Sequence, residues 1–123
     1  MIVVVDDYED AARVLTRLLG RIGLPSTYKT SGCDLLDFLR TNPTPELIIL
    51  DVMMPLMSGL ECLEAIRANP DWAAVPVVMY SADHTAAPKA EAERLGAQDY
   101  VAKGTVGWEQ FLEVIRRYAG PHA

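Results

Sequence analysis

Five short apolar or β-branched stretches recur along the chain, and stretches of helical period separate them. They cover residues 2–5, 25–30, 47–50, 76–80 and 99–102. Several are continuously hydrophobic rather than alternating, which is typical of strands that are covered on both faces of a parallel sheet. The second stretch is more polar than the others, so we expect it to form an edge strand, where Pro25 is tolerated.

The intervening stretches predict five helices. Apolar residues mark one face of the first, second, third and fifth: Ala12, Leu15, Leu19 and Ile22; Leu35, Leu36 and Leu39; Leu60, Leu63 and Ile66; and Trp108, Phe111, Leu112 and Ile115. The fourth helix is expected to run to about Gly96, with Pro88 in its first turn. Because strand and helix alternate five times with short connections, the sequence predicts a doubly wound α/β sheet in a single domain, residues 1–123.

Composition excludes several classes of function. The net charge of −6 at pH 7 argues against a nucleic-acid surface, which needs a basic face, and against docking on anionic lipid. No apolar run approaches the roughly 20 residues that cross a bilayer, and the first residues lack the basic start of a signal peptide. Cys33 and Cys62 have neither metal-ligand nor redox spacing, so we predict buried or half-buried free thiols and a cytoplasmic location.

Polar residues follow four of the five predicted strands at the point where each strand ends. Asp6 and Asp7 follow the first strand and Asp51 follows the third, while Ser81 and Lys103 follow the fourth and fifth. In an open parallel sheet, ligands bind beyond the carboxyl ends of the strands. We therefore expect these side chains to converge on one edge of the sheet.

Each of these residues also has a simpler structural explanation. Asp7 is a favourable cap for the first helix, and Ser81 is a favourable cap for the fourth. Asp51 is acceptable as a turn residue, and Lys103 as a surface charge. The simpler explanations are reasonable one by one, but residues of compatible chemistry at the same end of four strands favour a single common site.

The chemistry of such a site follows from its charge. Three carboxylates within a few ångströms repel one another, so either one is protonated or a cation neutralises them. Oxygen ligands without His or Cys select a hard ion, Mg²⁺ or Mn²⁺. A carboxylate can also attack phosphorus as a nucleophile, and a metal, a lysine and a hydroxyl can neutralise the transferred phosphoryl group. These residue types indicate phosphoryl transfer.

Four motifs in this order resemble the receiver domain of bacterial response regulators, the family of the chemotaxis response regulators. They are "DD" at residues 6–7, "LDVMMPLMSG" with Asp51, Pro55 and Gly59, "YSA" with Ser81, and "YVAK" ending at Lys103. The resemblance covers essentially the whole chain. It implies a flavodoxin-like (βα)5 fold with helices on both faces of a five-stranded parallel sheet, in the strand order 2-1-3-4-5.

The resemblance also implies roles for the residues at the strand ends. Asp51 would be the phosphoacceptor. Asp7 and Asp51 would coordinate Mg²⁺ directly, together with the backbone carbonyl of Met53, and Asp6 would act through a water molecule on the metal. Lys103 would pair with the phosphoryl group.

Further residues match the switching and lifetime-tuning positions of the family. Ser81 would donate its hydroxyl to a phosphoryl oxygen, and Tyr100 would be the switch aromatic that turns inward. Met53 and Asp83 occupy the positions that tune the lifetime of the phosphoryl group. Gly104 departs from the family pattern, because most members have a proline there, usually after a cis bond. A cis bond before a non-proline residue costs about 2.5–4 kcal/mol, so we expect a trans bond and an altered loop.

Taken with the resemblance, the sequence predicts a signalling switch that catalyses only its own phosphorylation and slow dephosphorylation. The phosphoryl group would come from a histidine kinase or a phosphotransfer protein. An unknown downstream protein would bind the face formed by the fourth helix, fifth strand and fifth helix, through which homodimers also occur widely in the family. Nucleic acid and membrane are not expected partners of this domain.

Three alternatives belong to other classes. A degenerate receiver would act as an interaction module without phosphorylation. A haloacid-dehalogenase-type phosphatase would also use a strand-end Asp, but it needs a second Asp at the position of Met53 and an acidic pair late in the chain. Flavin binding on the same sheet needs a phosphate loop after the first strand, and "DDYED" at that place would repel phosphate.

Overall fold

The computed structural model describes residues 1–82 and 86–120, in which five strands alternate with five helices. The strands are β1 (Ile2–Val5), β2 (Ser26–Lys29), β3 (Leu47–Leu50), β4 (Val77–Ser81) and β5 (Asp99–Ala102). The helices are α1 (Glu9–Arg21), α2 (Gly32–Thr41), α3 (Gly59–Ala68), α4 (Ala86–Arg94) and α5 (Trp108–Tyr118). The predicted number, type and order of elements are confirmed.

All strand pairs are parallel, and the sheet has the order β2-β1-β3-β4-β5. The flavodoxin-like fold and its strand order are therefore confirmed. β1, β3 and β5 have the predicted bounds, whereas β2 is one residue shorter at each end. β4 begins and ends one residue later than predicted, which makes Ser81 its last residue.

Two cores sandwich the sheet, because alternate strand residues face opposite sides. Helices α2, α3 and α4 cover one face and contribute residues such as Leu35, Leu63 and Ala92. Helices α1 and α5 cover the other face, with Leu15 and Phe111 among their buried residues. The central strands β1 and β3 are buried along their whole length, as their continuous hydrophobicity predicts.

Helix ends follow the local sequence. Ser31 caps α2 by accepting a hydrogen bond from the Asp34 N–H, and Ser58 forms a capping box with Glu61 at the start of α3. The prediction for the cysteines holds in part, because Cys62 is buried but Cys33 is exposed. Cys33 lies in the first turn of α2, one position away from the buried stripe of that helix. None of the described helices is long and apolar enough to span a membrane.

Candidate functional site

The register of the two central strands places two carboxylates side by side. Val5 pairs with Leu50, and the hydrogen bonding continues past both strands. The Asp51 N–H donates to the Val5 carbonyl at 3.0 Å, and the Asp6 N–H donates to the Lys29 carbonyl at 3.1 Å. Rigid, buried strands therefore hold Asp6 and Asp51 at the carboxyl edge of the sheet.

Asp7 completes a cluster of three carboxylates. One carboxylate oxygen from each of Asp6, Asp7 and Asp51 lies within 4.8 Å of the others. Asp6 and Asp51 are buried and Asp7 is exposed. Helix α1 has Tyr8 as its N-cap residue and no side-chain cap hydrogen bond, so Asp7 does not cap the helix. A compact group of oxygen donors fits a hard cation such as Mg²⁺.

Lys103 reaches the cluster from the end of β5. Ser81 pairs with Ala102, and the Lys103 N–H donates to the Ser81 carbonyl at 2.7 Å. The Lys103 Nζ lies 2.7 Å from Asp6 Oδ2 and 3.9 Å from Asp51 Oδ2. Lys103 is therefore part of the carboxylate cluster and is not an isolated surface charge.

The charges at this edge perturb one another. Burial raises the pKa of Asp51 to about 6, the charges of Asp6 and Asp7 act in the same direction, and Lys103 and the Met53 N–H oppose them. For Lys103, burial disfavours the ammonium, but its hydrogen bond to Asp6 and the charges of Asp51 and Asp6 outweigh burial and raise its pKa. One ammonium thus only partly compensates three carboxylates, so the cluster favours an added cation.

The loop after Lys103 accommodates the glycine that departs from the family pattern. Gly104 has φ +82°, a conformation that glycine adopts without strain. The described residues contain no cis peptide bond, as predicted for this position. The Lys103 ammonium nevertheless reaches Asp6, so proline is not needed to direct this side chain into the site.

The β3–α3 loop supports Asp51 through its backbone. The Asp51 Oδ1 accepts a long hydrogen bond, 3.4 Å, from the Met53 N–H. The Gly59 N–H donates to the Val52 carbonyl at 2.8 Å. A Cβ atom on Gly59 would lie 1.9 Å from the Asp51 carbonyl oxygen, so only glycine fits where α3 begins. Sequence reasoning identified Gly59 as a motif residue but missed this contact, which depends on tertiary packing.

The remaining predicted residues lie around the same edge. Ser81 is fully buried at the end of β4, and Tyr100 is half-buried in β5, where it packs against the core on the α2–α4 side. Met53 is 64% exposed at the mouth of the site. Asp83 lies outside the described residues. The predicted functions of these four side chains remain predictions.

Tyr80 is a neighbour of the site that sequence reasoning missed. It precedes Ser81, and strand alternation places it on the α1/α5 side of the sheet. The Lys103 Nζ lies 5.2 Å from the centroid of the Tyr80 ring. The sequence did contain a signal for this position, because Tyr80 is an aromatic residue directly before Ser81, the last residue of a strand that ends at the site.

A cleft between α1, α5 and the sheet opens at this edge. Its volume is about 460 Å³, and its walls are mostly apolar, with Leu15, Ile49 and Phe111 among them. Asp51 and Lys103 also line it. The candidate site therefore has an apolar side as well as a charged one.

The fold and this constellation define a receiver domain. A family model described as the response regulator receiver domain matches residues 2–116, so the chain belongs to that family. The order of elements, the strand-end carboxylates and the lysine after β5 are the features on which the sequence prediction of this family was based.

Similar proteins come from several bacteria. The Regulator of RpoS of Escherichia coli K12 is 32% identical over 114 residues, which cover 93% of this chain and 33% of that protein. The transcriptional regulatory protein KdpE of Mycobacterium tuberculosis H37Rv is 32% identical over 116 residues, or 94% of this chain and 49% of that protein. The chain thus spans less than half the length of these curated relatives.

Solved structures share the fold. A response regulator receiver protein of Pseudomonas putida superposes with a TM-score of 0.87 at 25% identity, covering 94% of each chain. The chemotaxis protein CheY4 of Vibrio cholerae has a TM-score of 0.86 at 24% identity, covering 96% of this chain and 97% of that one.

Proposed function

We propose that this chain is an active receiver, which takes a phosphoryl group onto Asp51 and so changes a protein-binding face. The observation that carries the proposal is the geometry around Asp51. Its carboxylate is buried at a strand end, one of its oxygens lies within 4.8 Å of an oxygen from each of two other carboxylates, and the Lys103 ammonium lies 3.9 Å from Asp51 Oδ2. The degenerate-receiver alternative lacks support from this geometry, because the acids and the lysine are in place.

The transfer step needs a nucleophile and charge neutralisation. An oxygen of Asp51 attacks the phosphorus of a phosphohistidine on a histidine kinase or phosphotransfer protein. The N–P bond breaks, and the imidazole, protonated on its other nitrogen, leaves with the electron pair as a neutral ring. The product is an acyl phosphate, and Lys103 compensates its negative charge.

Mg²⁺ belongs to this proposal as the cofactor, with Mn²⁺ as a substitute. Asp7, Asp51 and the Met53 carbonyl would hold the ion directly, and Asp6 would act through a water molecule. When bound, the ion would neutralise phosphoryl oxygens and reduce the repulsion between the carboxylates. Lys103 would supply a second positive charge at the phosphoryl group.

The output is a shift between two conformations. Ser81 would donate its hydroxyl to a phosphoryl oxygen, and Tyr100 would follow into the space next to β4. The face of α4, β5 and α5 would then bind an unidentified downstream protein or a second copy of the chain. A bias of a few kcal/mol is sufficient for such a switch. The role is that of a signalling switch rather than of an enzyme that turns over a separate substrate.

Intact-mass measurement after incubation with acetyl phosphate and Mg²⁺ tests the proposal. We expect one added phosphoryl group on the wild type, none on Asp51→Ala, and none on the wild type when EDTA replaces Mg²⁺. Asp71→Ala is a matched control, because Asp71 is exposed and lies outside the site, and it should be phosphorylated normally. An unshifted mass for the wild type with Mg²⁺ would contradict the proposal and favour the degenerate receiver.

The metal ligands are tested in the same assay by titrating Mg²⁺. Asp7→Ala should raise the Mg²⁺ concentration for half-maximal rate about tenfold or more, since even supporting residues of metal sites contribute this much. Asp10→Ala is the control, because Asp10 is also an exposed acid of this segment but lies outside the cluster. Equal Mg²⁺ requirements for the two variants would place the ion elsewhere.

A further inference from the structure

Three aromatic rings connect the Lys103 ammonium to α5. The Tyr80 ring lies 5.2 Å from Lys103 Nζ and stacks on Phe111, with 4.2 Å between centroids and 23° between planes. Phe111 in turn meets Trp108 edge-on, with 6.3 Å between centroids and an angle of 80°. These contacts are on the α1/α5 side of the sheet, opposite Tyr100.

We propose that Tyr80 is a positioning residue that keeps the Lys103 ammonium directed at Asp51, and that the Tyr80–Phe111–Trp108 stack transmits the position of Lys103 to α5. The proposal rests on the proposed function of Asp51 as phosphoacceptor. It adds a residue to the site and a second route by which phosphorylation reaches the surface.

The contacts of Lys103 explain why a ring is needed. Its four-carbon side chain is flexible, and its Nζ lies closer to Asp6, at 2.7 Å, than to Asp51, at 3.9 Å. The Tyr80 ring supplies a second, weaker attraction through its π electrons, and this attraction persists when the ammonium moves from Asp6 towards a phosphoryl group on Asp51.

The surroundings of Tyr80 leave its ring held mainly by the stack on Phe111. Tyr80 lines the cleft of about 460 Å³ together with Lys103 and Asp51. Open space lies beside the ring, so the stack on the buried Phe111 fixes its plane. A displacement of the ammonium can therefore alter the ring and, through Phe111, the environment of the half-buried Trp108.

The first test compares initial phosphorylation rates with acetyl phosphate at saturating Mg²⁺. Tyr80→Leu, which removes the ring, should slow the reaction about fivefold, whereas Tyr80→Phe, which keeps it, should stay within about twofold of the wild type. Phe38→Leu is a matched control, because it removes a ring that lies 5.0 Å from the Nζ of a different lysine, Lys29. Its rate should not change.

Nuclear magnetic resonance distinguishes loss of the Tyr80–Lys103 contact from a general disruption of the structure in Tyr80→Leu. The lysines of the chain are Lys29, Lys89 and Lys103, so labelled lysine gives few side-chain signals, and Lys103→Arg identifies the one in the site. The Lys103 ε-CH2 signal should show a ring-current shift that Tyr80→Leu removes and Tyr80→Phe retains. The Lys29 and Lys89 signals and the Mg²⁺ affinity should be the same in all three proteins.

Tryptophan fluorescence tests transmission to α5. Trp72→Phe leaves Trp108 as the only tryptophan, and beryllofluoride supplies a stable mimic of the phosphoryl group on Asp51. We expect its addition to change the Trp108 emission in this background and with Tyr80→Phe, but not with Tyr80→Leu. An equal change in Trp108 emission in all three proteins would contradict the proposal that the stack transmits the position of Lys103 to α5.

The outcomes also separate this proposal from the proposed function. If the wild type takes up no phosphoryl group, the proposed function fails, while the ring-current shift still tests the Tyr80–Lys103 contact. Equal rates for wild type and Tyr80→Leu would overturn the positioning role. Equal losses in Tyr80→Phe and Tyr80→Leu would assign the effect to the hydroxyl rather than the ring, and a loss of Mg²⁺ affinity would assign it to structural damage. Either result overturns the proposal.

Discussion

The two edges of the sheet use charge in opposite ways. At the carboxyl edge, Asp6, Asp7 and Asp51 face one ammonium, that of Lys103. At the amino edge, the guanidinium of Arg67, at the end of α3, donates to the backbone carbonyl groups that precede β4 and β5. Its partners are the carbonyls of Ala73, Val75 and Gly96 and the side-chain oxygen of Gln98.

This difference in charge balance assigns a structural role to the amino edge and a functional role to the carboxyl edge. Arg67 donates hydrogen bonds to backbone carbonyl groups of the chain itself. The Gln98 side-chain oxygen that accepts from Arg67 also accepts a hydrogen bond from the Val77 N–H at 2.7 Å, which links Arg67 to β4. At the carboxyl edge three carboxylates face one ammonium, and burial, assisted by the charges of Asp6 and Asp7, raises the pKa of Asp51 to about 6. The hydrogen-bond acceptors at the amino edge have their partners within the chain, whereas the carboxylate cluster at the carboxyl edge favours an added cation.

Gly59→Ala should have the largest effect, because it disturbs the carboxyl edge sterically. The new Cβ would lie 1.9 Å from the Asp51 carbonyl oxygen and 2.8 Å from its carbonyl carbon, so the backbone of Asp51 or the start of α3 must shift. We expect the free energy of unfolding to fall by about 3 kcal/mol, the upper range for overpacking. Urea unfolding measures this change, and the phosphorylation rate of the folded variant should fall as well.

Gly20→Ala is the matched control for that substitution. Gly20 lies in α1, and a Cβ there would have nothing within 4 Å. Alanine is favoured over glycine inside a helix, so this variant should be as stable as the wild type or more stable by up to about 1 kcal/mol. Equal stability losses in the two variants would show that the loss at Gly59 does not come from the short contact with the Asp51 carbonyl.

The strand ends show how much the sequence could predict. Continuous hydrophobicity located β1 and β3, and the residue after each strand end was enough to bring Asp6, Asp51 and Lys103 together, because parallel strands all end at one edge. These predictions need only local pattern and a general rule of sheet topology. They cover the fold and the charged part of the site.

Other features depend on packing between distant segments and could not be predicted. The contact of Gly59 with Asp51 and the bonds from Arg67 to the Gly96 carbonyl require the positions of whole elements. The position of Tyr80 beside Lys103 depends on the direction of two side chains from different strands. Cys33 was predicted to be at least half-buried and is exposed, because hydrophobic type alone does not determine the helix face.

The pH dependence of the free energy of unfolding tests the carboxyl edge, and we expect its effect to be smaller than that of Gly59→Ala. In metal-free protein, the pKa of Asp51 is about 6 in the folded state, against an ordinary value of 3.8. Between these values the native state binds more protons at Asp51 than the unfolded state, so this group makes stability fall as pH rises from about 4 to 7. The full shift corresponds to about 3 kcal/mol, and solvent relaxation at the site reduces our expectation to about 2 kcal/mol.

Urea unfolding in EDTA at several pH values measures this loss, with Asp51→Asn as the control that does not titrate. The difference in stability between Asp51→Asn and wild type should grow as pH rises through this window. Mg²⁺ added at the alkaline end should recover stability in the wild type, because it binds the native state. Parallel pH curves for the two proteins would contradict a raised pKa at Asp51.

Arg67→Met should have the smallest of the three effects and act on the amino edge alone. It removes hydrogen bonds to the Val75 and Gly96 carbonyls at 2.8 and 2.9 Å. Gly96 is exposed, so water can replace the bond to its carbonyl, and we expect a loss of about 1–2 kcal/mol, mostly from the bond to the buried Val75. The loss should be the same at both ends of the pH series, and the phosphorylation rate of the folded variant should match that of the wild type. Arg94→Met, which breaks an exposed pair with Glu91 within α4, should cost about 0.5 kcal/mol or less. A phosphorylation defect in Arg67→Met without a matching loss of stability would show that the two edges are coupled, and the division between a structural edge and a functional edge would then be wrong.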